Sequence, residues 1–76
     1  MHVVHAAEPS LVERVNFAIH TSPYLAGRKL LSKTDGNRVS LHGEVNTYFQ
    51  KQMAQEIVRR IEGVEQIENC LEVTWH

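Results

Sequence analysis

Three groups of side chains in this 76-residue sequence have types and spacings that chemistry could use. His2 and His5 stand three apart near the amino terminus, the H-x-x-H spacing with which two imidazoles can grip zinc. No cysteine or carboxylate completes a ligand set with them, so no metal and no cofactor is assigned. Ser40, His42 and Glu44 offer a hydroxyl nucleophile, an imidazole base and a carboxylate to orient it. On a strand all three project from one face at roughly 6–7 Å intervals, too far apart for a proton relay. His42 reads as a solvated side chain, and no catalytic residue is assigned. The third group is cationic: Arg28, Lys29, Lys33 and Arg38 crowd around one predicted hairpin, with Arg59 and Arg60 near a helix end. Such a cluster can attract phosphate head groups at about 1 kcal/mol per basic residue, enough for weak, salt-sensitive attachment. The alternative is a solvated hairpin and a favourable helix carboxyl end.

The elements that must position these groups follow from local pattern. Residues 1–8 are short of structural signals and read as a flexible segment; residues 9–76 form a single domain. Ser10 with Glu13 makes a capping box, so a helix starts there. Leu11, Val15 and Ile19 give it one apolar stripe, and Pro23 ends it near His20. "RKLLSKT" is a weak strand, Asp35-Gly36 a tight turn, and Val39 to Val45 a strand by alternation. Thr47 with Gln50 gives a second capping box for a four-turn helix whose stripe runs Phe49, Met53, Ile57, Ile61, with Ala54 and Val58 beside it. Gly63 sits where a left-handed cap would end that helix. Ile67, Asn69, Leu71, Val73 and Trp75 share one face of a last strand, which leaves Cys70 on the other. The fold class is α+β: a two-layer α/β sandwich of order αββαβ, its three-stranded mixed sheet covered on one face by two helices.

Composition bounds the function. Hydrophobic residues make up 42% of the chain, and at this size one core supplies only about 3–5 kcal/mol of net stability. A deep catalytic cavity is hard to accommodate. Eight Lys and Arg against nine Asp and Glu give a net charge of -1, without global attraction to nucleic acid. A lone cysteine excludes an internal disulfide. The amino terminus lacks a basic region followed by an apolar run, so the expected location is cytoplasmic if the chain is complete, and periplasmic or envelope if it is part of a longer exported protein.

"GRKLLSKTDGNRVSLHGEV" followed by "KQMAQEIVRRIEGVEQIENCLEV" resembles the BON domain, the bacterial osmotic-shock and nodulation domain. The resemblance rests on the hairpin "GNRVSLHGEV", the mid-helix Ala54, "IEGVEQI" and the closing "NCLEV", and covers about Leu11 to Val73. It implies the same element order, and binding rather than catalysis, chiefly of phospholipid membranes in envelope integrity and osmotic stress. Gly43, Gly63 and Asn69 correspond to the family's glycines and last-strand asparagine. Their expected roles are structural: close approach of strand to helix at Gly43, positive φ at Gly63, and at Asn69 a clasp from the last strand to backbone at a helix end or the loop Pro23 to Gly27. Ala54 belongs with them, since Ala54→Glu would bury a charge.

Two functions compete: a non-enzymatic module contacting anionic lipid through Arg28, Lys29, Lys33 and Arg38, and a protein-interaction or self-assembly domain using the open sheet face and the strand edges. Nucleic acid is disfavoured, because no G-x-x-G loop joins two helices and the sheet lacks paired aromatics. The run from His42 to Gln50 reads as a strand end and a capped helix start. Its functional alternative, an anion on the helix N–H groups, is opposed by Glu44.

Overall fold

The computed structural model describes residues 9–25 and 27–74, so His2, His5, the amino-terminal segment and Trp75 lie outside the described residues. The elements run α1 (Leu11–Thr21), β1 (Leu30–Asp35), β2 (Arg38–Val45), α2 (Tyr48–Arg59) and β3 (Gln66–Val73). The sheet order is β1-β2-β3, with β1 antiparallel and β3 parallel to β2. Both helices pack on one face, as their single apolar stripes require.

α1 starts as its sequence dictates. The Ser10 hydroxyl accepts from the Glu13 N–H, and Glu13 Oε1 accepts from the Ser10 N–H in return. Ser22, forced extended by the following proline, stops the helix. At α2 only half of the expected box forms. Thr47 Oγ1 accepts from the Gln50 N–H, but Gln50 Oε1 reaches past Thr47 to the Asn46 N–H at 2.7 Å. The side chain thereby ties the helix start to the end of β2.

The hairpin closes one residue later than "Asp-Gly" suggests. Asp35 pairs with Arg38, so Gly36 and Asn37 are the two turn residues, and only Gly36 has positive φ (62°), the sign pattern of a type II′ turn. The Asn37 carbonyl then accepts the Glu65 N–H, which docks the turn on the chain entering β3.

The core comprises Val15, Ile19, Leu25, Leu30, Val39, Leu41, Val45, Ala54, Val58 and Leu71. Ala54 and Val58 define the buried line of α2. The stripe is therefore rotated from the expected one: Ile57 and Ile61 are half-buried, and Phe49, about 140° round the helix from Ala54, is 58% exposed. α2 ends at Arg59 with Arg60 as its cap, so Gly63 (φ 100°) shapes the turn into β3 and does not cap the helix. Gly43 is also corrected. A Cβ there would lie 2.5 Å from the Lys29 carbonyl oxygen and 3.2 Å from Leu30 Cα, so the close approach is to the neighbouring strand, not to a helix.

One rung of the sheet fastens both helices. Ser32, Leu41 and Asn69 pair across the three strands on the covered face. Ser32 Oγ donates to Asn16 Oδ1 on α1, while Asn69 Nδ2 donates to the Lys51 carbonyl (2.9 Å) and to Gln55 Oε1 (3.2 Å) on α2. Asn69 is thus a clasp, but its partners lie within α2 and not at a helix end or in the loop Pro23 to Gly27. The reason is that α2 crosses directly over β3, where a helical carbonyl can use its second lone pair.

Candidate functional site

The strands place the four candidate cations apart. Arg28 and Lys29 enter β1, Lys33 stands mid-strand opposite Ser40, and Arg38 pairs with Asp35 at the hairpin. A six-residue strand spans roughly 20 Å, so Arg28 and Lys29 form one group and Arg38 belongs to the far end. There Arg38 Nη2 is bound by Glu68 Oε2 at 2.8 Å.

Arg28 and Lys29 border an open cleft of about 430 Å³, with Gly43 and Glu44 of β2, Asn46 and Thr74 around it. Arg28 Nη1 donates to Asn46 Oδ1 at 2.9 Å, and Arg28 Nε is a buried N–H with no partner among the described residues. Native folds rarely leave such a donor unmatched.

Beside this cleft lies a feature that the sequence pattern concealed. Tyr24, in the turn after α1, packs edge-to-face on Phe49, with ring centroids 5.5 Å apart and planes at 72°. Both are at least half exposed, as is Tyr48. Gln50 holds the two segments together, its Nε2 donating to the Tyr24 carbonyl while its Oε1 binds the Asn46 N–H. The phase of Ala54 and Val58, rather than the four-residue spacing from Phe49, is the signal that places Phe49 outside.

The open sheet face carries the remaining candidates. His42 Nε2 and Ser40 Oγ are 3.1 Å apart, closer than strand spacing alone suggests, because both side chains lean along the strand. No carboxylate hydrogen-bonds the ring among the described residues. Cys70, paired laterally with His42, is exposed, and its Sγ donates to Glu68 Oε1. Partial desolvation and the Glu68 carboxylate push the thiol pKa up, whereas the Cys70 and Arg38 contacts pull Glu68 down. Such a thiol is kept protonated and is a poor nucleophile. At α2 the Gln50 N–H is met by the Thr47 hydroxyl and the Lys51 N–H by the Thr47 carbonyl, in keeping with a capped helix start.

Among the described residues no group of three or more His, Cys, Asp or Glu is placed to hold a metal ion, and no helix is long and apolar enough to cross a membrane. A comparison with curated proteins finds no match. A model of the BON domain matches residues 8–74.

Proposed function

The chain belongs to the BON domain family, and from that footing we propose that it is a non-enzymatic binding module whose ligand is the anionic surface of a phospholipid membrane, serving envelope maintenance under osmotic stress. The family's association with membranes supports this reading. The observation that carries it is the cleft at the start of β1, where Arg28 and Lys29 stand together and the Arg28 Nε–H has no acceptor among the described residues. A phosphate oxygen is the acceptor that a guanidinium fork suits best. Glu44 borders the same cleft, so the attraction is local and falls steeply with salt.

Co-sedimentation at low salt tests the proposal. Vesicles containing phosphatidylglycerol should pellet the protein and pure phosphatidylcholine vesicles should leave it in solution. Equal pelleting, or none with either, would refute it.

A second reading, a protein-interaction or self-assembly domain, is favoured by Leu31, 55% exposed on the edge strand β1, and by the outer edges of β1 and β3, which are unpaired among the described residues. Light scattering across a concentration series tests it: growth in mass supports self-assembly, and a constant monomer mass removes it.

A further inference from the structure

We propose that Tyr24, Tyr48 and Phe49 form a wedge that enters the interfacial layer of an anionic bilayer, so that the domain docks with this end down and the hairpin outward. The inference rests on the lipid reading above and adds to it an apolar anchor and an orientation. Tyr24, Tyr48 and Phe49 are 50%, 68% and 58% exposed, a concentration of apolar surface that folding alone does not require. Their chemistry suits the boundary between head groups and acyl chains, where amphipathic rings are favoured.

The wedge is also held ready. The Tyr24–Phe49 contact and the Gln50 bridge fix the loop against the helix start, so little side-chain freedom remains to be lost on docking. Charge bears on the occupant: the first turn of α2 has no acidic residue, and Arg28 and Lys29 border the cleft at this end, where Glu44 and its sheet neighbour Glu72 moderate their attraction without removing it. An aromatic patch with cations beside it matches an anionic lipid surface, where cations meet phosphate as rings enter the layer below.

The test uses single-tryptophan proteins in a Trp75→Phe background, with Phe49→Trp reporting on the wedge and Gln66→Trp, exposed at the start of β3, reporting on the opposite end. Both are mixed with vesicles of phosphatidylglycerol and phosphatidylcholine, pelleted, and read for emission maximum and acrylamide quenching. The expected result is a blue shift and shielding at position 49 with none at 66. Separately, the double variant Tyr48→Ser, Phe49→Ser should lower vesicle partitioning at high salt by about tenfold or more, since burial of even one of the two rings is worth that factor. Pelleting with position 49 still fully quenched, or with position 66 shielded, overturns the wedge and leaves lipid binding standing. Absence of pelleting with any vesicle overturns both. Circular dichroism melts of each variant verify that the parent fold is retained.

Discussion

Ser32 and Asn69 face each other across Leu41 on a single rung of the sheet, and each fastens a different helix: Ser32 binds Asn16 of α1, and Asn69 binds the Lys51 carbonyl of α2. These two polar residues of the covered face thus do for the helices what apolar contact alone cannot. They set the position of each helix along the strands as well as its distance from them.

Asn69→Leu keeps the volume and loses the clasp. Asn69 Oδ1 also accepts the Leu71 N–H at 3.2 Å, so the substitution strips a partner from a backbone donor as well as from α2. The expected cost is about 1–3 kcal/mol in urea unfolding, with vesicle binding per folded molecule unchanged. Normal stability with lost binding would move Asn69 into the binding site.

Gly43→Ala should destabilise by roughly 2–4 kcal/mol, because the new methyl group meets the Lys29 carbonyl and φ at this position is 128°. Relief of that clash must displace Lys29, so the surviving folded protein should also bind vesicles less well. Thermal melts and co-sedimentation on the same preparation measure the two effects. A melt unchanged from the parent would show that β1 yields freely.

The paired cations should separate by position. Arg28→Gln with Lys29→Gln should cost about 1 kcal/mol per charge removed, roughly fivefold each in vesicle affinity at low salt. Lys33→Gln with Arg38→Gln should cost much less, since Arg38 is held by Glu68 at the far end. Equal losses from the two pairs would return the binding surface to the hairpin as a whole.

The capping box makes a pH-dependent contribution whose sign is fixed. The Ser10 N–H and hydroxyl hold the Glu13 carboxyl below its ordinary value of 4.5. Its contribution is therefore complete above that value and disappears as the pH falls through the lower folded-state value. Glu68 acts in the same direction. Urea midpoints of parent and Glu13→Gln should differ at neutral pH and converge in acid. A difference that grows on acidification would contradict the box.

Much of the fold was legible because its signals are local. Ser10 and Glu13 are three residues apart, Gly36 turns the hairpin by its own backbone freedom, and the alternation of Val39, Leu41 and Val45 needs no partner to be recognised. What the sequence concealed depends on contacts made across it. Gln50 has the capping spacing from Thr47, yet its carbonyl oxygen goes to Asn46, a choice decided by where β2 ends. Gly43 needs its small size because of Lys29, fourteen residues earlier and brought close only by strand pairing. Among the candidate contacts, Arg28 and Lys29 are neighbours in sequence and stay together, while Arg38 is carried away by the length of β1. Four-residue spacing alone puts Phe49 in the core, but the helix phase is set by what β2 and β3 present to it.

The parallel pairing of β2 and β3 also governs how the chain finds this arrangement. Every rung from Arg38–Gln66 to Val45–Val73 joins residues 28 apart, so the first rung to form bears the whole loop-closure entropy and the other seven add almost none. The β1–β2 hairpin, closed by two residues, has no such barrier. Folding should therefore be limited by the docking of α2 and β3 together onto a hairpin already present, with β3 and α2 gaining hydrogen-exchange protection as one cooperative unit.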